Sequence, residues 1–153
     1  MTAPLVFRCE RCGAFNRLSL LVPGRQAVCG KCKIDLGTAG TAAHVRLEEL
    51  QRGITTSPSP VLVDFWAPWC APCRAFAPVL ETYARESAGR VVVLKLDTEA
   101  EPGAGAHFGI QAIPTLVLFR AGKEVERVSG ALPLGELRQF VETARVSVGG
   151  SQS

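Results

Sequence analysis

Six cysteines, every one of them in a Cys-x-x-Cys pair, limit this chain more than any other feature: Cys9/Cys12, Cys29/Cys32 and Cys70/Cys73. Two thiols spaced in this way either close a small disulfide ring or ligate a metal from one tight turn. The first two pairs are separated by 16 residues. The third lies far downstream in a different setting, between a strand-like run and a helix-like one. No uninterrupted apolar segment opens the chain, because Arg8, Glu10, Arg11, Asn16 and Arg17 break up residues 1–25. No run approaches the roughly 20 apolar residues of a spanning helix, so no membrane partner is expected. The expectation is a cytoplasmic protein. Thiols stay reduced there, so six cysteines serve metal or redox chemistry and not structural disulfides. An exported oxidase is disfavoured on the same ground.

With 153 residues, 47% hydrophobic and 20% charged, the chain has room for one ordinary domain and a small appendage. GTAG (37–40) reads as a flexible joint, which predicts a metal-binding module over 1–40 and a main domain over 41–147. The closing VGGSQS (148–153) reads as a flexible tail. In the main domain residues 46–52 suit a short helix and GITTSPSP (53–60) a loop. VLVDFW (61–66) and VVVLKLD (91–97) are buried strands, separated by an amphipathic helix that carries Phe76, Val79, Leu80 and Tyr83, with Pro78 as a kink. TLVLF (115–119) and EVERVS (124–129) flank a turn as a hairpin, and Leu137, Phe140, Val141 and Ala144 mark a last helix. This alternation predicts an α/β fold, a mixed central sheet flanked by helices.

Two features carry chemistry in that domain. Cys70-Ala71-Pro72-Cys73 falls after a strand and at the start of a helix, where unpaired N–H groups and the positive dipole end favour a thiolate at Cys70. The competing reading is two buried cysteines used as small apolar side chains. Asp64 sits between Val63 and Phe65 in a strand covered on both faces, so burial should raise its pKa. An inert, hydrogen-bonded acid is the alternative there.

The first two pairs have the spacing of two zinc knuckles. Cys9, Cys12, Cys29 and Cys32 would close a tetrahedral four-thiolate site around one structural Zn2+ per chain. Gly13 and Gly30 suit the tight backbone of such turns. Two further redox disulfides, or a reservoir of free thiols, are the rival readings. Residues 1–36 hold six basic groups (Arg8, Arg11, Arg17, Arg25, Lys31, Lys33) against Glu10 and Asp35, while the rest of the chain is nearly neutral. Only Phe7 and Phe15 accompany them as aromatics, which argues for a solvated surface and against nucleic-acid binding.

The segment VDFWAPWCAPCR (63–74) resembles the active-site stretch of the thioredoxin family, whose usual form is Trp-Cys-Gly-Pro-Cys. Gly109 to Thr115 resembles that family's Ile-Pro-Thr loop, and Gly130-Ala131 its late glycine loop. The resemblance covers about residues 42–146. It implies the thioredoxin fold and protein-disulfide reduction, with Cys70 attacking, Cys73 resolving and Pro114 cis and opposite them. It implies that Trp69, Ala112, Ile113 and Gly130 line a groove for extended substrate, beside Ala71 and Pro72 of the redox loop. Trp66 becomes a packing residue under the site, and Asp64, with Lys95 near it, a proton-transfer group. Ala71 departs from the family's glycine. The four-cysteine start resembles the zinc-containing bacterial thioredoxins of the thioredoxin-two type. The implied partners are protein disulfide substrates and a thioredoxin-reductase-type flavoenzyme, acting on a monomer. Two other functions stay open at this stage: a redox sensor whose zinc thiolates oxidise and release metal, and a zinc-ribbon module that docks a protein partner.

Overall fold

The computed structural model describes residues 5–18, 27–36 and 40–151, with side chains in the last helix described to residue 144. Two strands open it, β1 (Leu5–Arg8) and β2 (Phe15–Leu18), paired antiparallel with Leu5 opposite Leu18. A five-stranded sheet follows in the order β3-β5-β4-β6-β7. Its members are β3 (Ala43–His44), β4 (Val61–Trp66), β5 (Val92–Asp97), β6 (Thr115–Arg120) and β7 (Lys123–Ser129). The first three run parallel, while β6 pairs antiparallel with both β4 and β7. This is the mixed sheet that the alternation of patterns predicts.

Four helices cover it: α1 (Leu47–Thr56), α2 (Ala71–Glu86), α3 (Pro102–Phe108) and α4 (Leu134–Ser151). Strand residues alternate in direction, so Leu62, Val93, Leu116 and Leu118 face α2 and α4, where Phe76, Leu80, Leu137 and Val141 meet them. Val61, Val63, Phe65, Leu94 and Val117 face the other way, toward Leu50 and Ile54 of α1 and Ala104 of α3. Burying a Leu or Phe side chain contributes roughly 1.5–3 kcal/mol, so these two layers dominate stability. Across the first layer Arg138 holds Glu86 through two N–H bonds, tying α4 to α2.

Several expectations change. GITTSPSP is not wholly loop: α1 continues to Thr56, because Ile54 extends the apolar stripe of Leu47 and Leu50 onto the sheet. The Thr55 and Thr56 hydroxyls donate back to the Arg52 carbonyl, which supports that last turn. The expected helix around Pro78 is α2, which runs on to Glu86. Helix α4 reaches Ser151, into the segment read as a tail; residues 152–153, and residues 37–39 of the GTAG joint, lie outside the described residues. Helix α3 and strand β3 carry too little apolar pattern for sequence reading to find them.

The N-terminal residues are seated on the main domain. The Val6 N–H donates to the Gly89 carbonyl at 2.8 Å. Gly89 has φ +86°, and a Cβ there would stand 2.9 Å from the Leu5 Cβ, so the close approach needs glycine. Arg8, its side chain 8% exposed, reaches Glu49 of α1 at 3.4 Å, and the Thr41 hydroxyl donates to Glu10 at 2.8 Å. Phe7, Leu36, Cys9 and Cys29 form the module's own small core, with Ala88, just past α2, packed against it.

Candidate functional site

Strand β4 ends at Trp66, and three residues later the chain turns into α2 with Cys70 as its N-cap. A cap residue normally offers a side-chain oxygen to the free N–H groups of the first turn. Here sulfur takes that place: the Cys73 N–H donates to Cys70 Sγ at 3.2 Å. Pro72 occupies the first turn, where its missing N–H costs nothing. Cys70 and Cys73 are joined by a disulfide, with Cα atoms 5.2 Å apart. Both are nearly covered, at 4% and 2% exposure, and Ala67, Trp66 and Ile113 pack against them. The Arg74 guanidinium donates to the Pro68 carbonyl at 2.8 Å and pins the loop before the pair.

The Ile113–Pro114 peptide bond is cis, and the Ile113 carbonyl oxygen lies 3.8 Å from Cys70 Sγ. Pro114 is fixed from behind by the Gly130 N–H, which donates to its carbonyl at 2.7 Å. The Thr115 hydroxyl donates to the Ala112 carbonyl at 2.5 Å, so the loop ahead of the proline is braced as well. Trp69, 65% exposed, and Ala112 and Ile113 line a hollow of about 220 Å³ together with Thr98, Gly105, Ile110 and Gln111. Gly130 stands beyond that hollow, behind Pro114, and Ala71 and Pro72 are exposed on the first turn of α2. Thr98 and Gly105 carry no sequence signal for this position. They arrive by way of the loop after β5 and by α3.

Asp64 is fully buried, and neither of its carboxylate oxygens has a hydrogen-bond partner among the described residues. Loss of hydration raises its pKa to about 7, against a downward pull from Lys95. Lys95, beside Asp64 in the register of β4 and β5, makes no direct ion pair with it; its Nζ rests 4.5 Å from the centre of the Trp66 ring.

The other four cysteines converge on one point. Their sulfurs lie within 4.8 Å of one another, with Cys9–Cys32 and Cys12–Cys29 each at 3.6 Å. A tetrahedral site with Zn–S bonds of about 2.3 Å separates its sulfurs by roughly 3.8 Å, so this donor set fits zinc. The two turns repeat one backbone pattern: Gly13 N–H to Cys9 carbonyl at 2.8 Å and Lys33 N–H to Cys29 carbonyl at 2.9 Å. The residue that takes positive φ in each is Gly13 (+80°) and Lys33 (+72°), not Gly30. Gly30 instead gives its N–H to Asn16 Oδ1 at 2.9 Å, while Asn16 Nδ2 approaches Cys29 Sγ at 3.6 Å. Asn16 thus buttresses Cys29 from β2, and nothing in the spacing announces it. The N–H of Cys32, with help from Lys31 and Asn16, holds the Cys29 thiol down at about 6 despite burial. The Ile34 N–H pulls on Cys32 too, but burial and the other three sulfurs push it up to about 11. Four thiolates this close repel one another; a divalent cation is what lets them all ionise.

The sequence model of the thioredoxin family matches residues 41–143. The chain belongs to the thioredoxin family. Thioredoxin 1 of Nostoc sp. is 43% identical over 101 residues, 66% of this chain and 94% of that protein. A thioredoxin of Synechocystis sp. is 45% identical over 89 residues, 58% of this chain and 83% of the relative. One from Haemophilus influenzae is 40% identical over 98 residues, 64% and 92% of the two chains. The thioredoxin match leaves the four-cysteine segment outside it. As a member of this family the protein is a thiol–disulfide oxidoreductase of the protein-disulfide reductase type. No helix among the described residues is long and apolar enough to cross a membrane.

Proposed function

We propose that this thioredoxin reduces disulfides in other proteins through a Cys70/Cys73 cycle, and that Cys9, Cys12, Cys29 and Cys32 hold one structural zinc. The observation that carries the reading is the capped disulfide itself: Cys70 Sγ accepts the Cys73 N–H at the start of α2 and faces the loop of cis-Pro114. That N–H and the helix dipole favour negative charge on Cys70 sulfur. In the reduced protein the Cys70 thiolate attacks one sulfur of a substrate disulfide. A mixed disulfide forms, and the other substrate sulfur leaves as a thiolate that takes up a proton. Cys73 then gives its proton to Asp64, by way of water, and attacks Cys70 Sγ. The second substrate thiol departs and the Cys70–Cys73 disulfide closes, so two electrons have passed to the substrate. Asp64 suits the proton step because its pKa of about 7 lets it accept and return a proton near neutrality. Extended substrate lies along Trp69, Ala112 and Ile113, against Pro114 and Gly130. A thioredoxin-reductase-type flavoenzyme drawing on NADPH restores the dithiol.

The zinc, when bound, supplies the charge that holds four thiolates together and so ties the two cysteine turns to each other. A cluster closed by four protein sulfurs leaves no open position for a substrate, which favours a structural role. This arrangement is that of the zinc-containing thioredoxin-two type, working in a cytoplasm where thiols stay reduced. The test is reductase-coupled NADPH oxidation with insulin as the substrate, with total zinc measured on the same sample. We expect turnover that needs the reductase, and one zinc per chain. Insulin left intact by the reductase-coupled protein would overturn the reading.

A further inference from the structure

Three charged or titratable side chains stand in one row across the sheet, and the mechanism above uses only one of them, Asp64. In the register of the parallel strands His44 of β3 is the partner of Lys95 on β5, and Lys95 is the partner of Asp64 on β4. Partners at one register position project to the same face, here the face of Leu62 and Val93 beneath α2. Leu116 of β6 continues the row on the far side of Asp64. Burial falls along it from Asp64, with no exposure, to Lys95 at 8% and then to the exposed His44. The lysine ammonium has no ion-pair or hydrogen-bond partner among the described residues; it lies against the Trp66 ring. The His44 ring meets that same indole edge-on, with centroids 5.7 Å apart and planes at 61°.

We propose that His44 is a positioning residue: it roofs Lys95, keeping the ammonium against Trp66 and within electrostatic reach of the buried Asp64. A lysine near a sheet edge moves its charge into water whenever a path is open. His44 fills that path. Among the described residues Lys95 is the charge that draws the Asp64 proton affinity down against burial, so a lysine that escapes leaves burial unopposed. The groups facing His44 are Lys95 and Asp97 from β5 and Glu81 from α2, with Arg8 and Glu10 lining the same surface hollow. Burial and Lys95 hold its imidazole below the usual range, outweighing Glu81 and Asp97. Its charged form is thus disfavoured, and in this proposal it acts as a cover and not as a charge.

This inference rests on the geometry of the row, and it touches catalysis only through the proton role given to Asp64. The experiment follows the Asp64 carboxyl carbon by NMR through a pH titration of the full, zinc-loaded, oxidised chain. It compares wild type, His44→Ala and His44→Phe, alongside insulin-reduction rates against pH. We expect the Asp64 midpoint to rise by about half a pH unit or more in His44→Ala and to keep its wild-type position in His44→Phe, which restores a ring. An unmoved or lowered midpoint in His44→Ala overturns the proposal. So does a His44→Phe midpoint that shifts as far as that of the alanine variant, since the imidazole nitrogens would then matter and not the cover. A midpoint that moves while the rate profile does not supports the cover and overturns the proton role of Asp64.

Discussion

Asp64 is where residue-level chemistry is most exposed to test. Its pKa of about 7 stands above the ordinary aspartate value of 3.8 that an unfolded chain would show. A raised folded value means that the native state holds its proton longer. The associated stability is complete below about pH 4, is lost as pH climbs, and is gone above about pH 7. Asp64→Asn removes that loss. Denaturant melts at pH 8 should find the variant more stable than wild type, by an amount on the order of a few kcal/mol, and the two should converge toward pH 4. The same variant should reduce insulin more slowly near neutrality, with a changed pH dependence; stopped-flow rates equal to wild type across that range would leave Asp64 as a structural acid. The two site thiols separate in another way. Cys70→Ser should abolish reduction, whereas Cys73→Ser should accumulate mixed disulfides that appear as protein adducts on non-reducing gels. Alkylation of the reduced protein at mildly acidic pH should label Cys70 first, because the Cys73 N–H and the helix start both favour its thiolate.

At the scale of elements, Gly89 is one of the points where one unit touches the next. Alanine there takes a positive φ and pushes on Leu5, so Gly89→Ala should cost roughly 1–3 kcal/mol. The loss should fall on the docking of β1: hydrogen exchange at Val6 should accelerate, and exchange in β4 should not. How far elements were legible before any coordinates follows from how each one is stabilised. Strands β4, β5 and β6 are buried on both faces, so they are written as short, largely apolar runs rich in β-branched and aromatic residues, legible from composition and length. Helix α2 announces itself through Phe76, Leu80 and Tyr83. Helix α3, PGAGAHF, buries only Ala104 in full and is held by the elements around it. Strand β3 is two residues long and owes its place to pairing with β5. Neither carries a local pattern. The four-cysteine cluster and the Cys70 loop were readable because ligand and thiol spacing is local. Asn16, Thr98 and His44 reach their positions through long-range pairing, which leaves no trace in neighbouring residues. Lys33 in place of a glycine shows the same limit: the turn's demand for positive φ is met by its hydrogen bonds, and composition alone points to Gly30.

For the whole molecule, the question is how independent the two units are. The main domain owns both large apolar layers, whereas the module has Phe7, Leu36 and its own cysteines for a core. Among its described residues the module buries little apolar surface to offset chain entropy, which is where the proposed zinc would contribute. Chelating the proposed zinc should therefore unfold the module's described segments, 5–18 and 27–36, leaving the main domain folded and able to reduce insulin; calorimetry should show one transition vanish and another persist. Cys29→Ser with Cys32→Ser should bring bound zinc from one per chain to none. The seat of β1 adds a further consequence. Sheet order leaves β3, two residues long, at one rim, and β1 lies against β5 next to it. Unpaired backbone at a sheet rim is a template for another chain, and natural proteins cover it. Here β1, with Val6 and Phe7 lining one cleft together with Val92, Val93 and Leu94, lies beside that rim, and the proposed zinc would hold it there. Stripping the metal exchanges a closed rim for an adhesive one, so light scattering at moderate concentration should climb before any change in the far-ultraviolet signal of the main sheet. Solubility, and not turnover, would be the first property to register a zinc shortage.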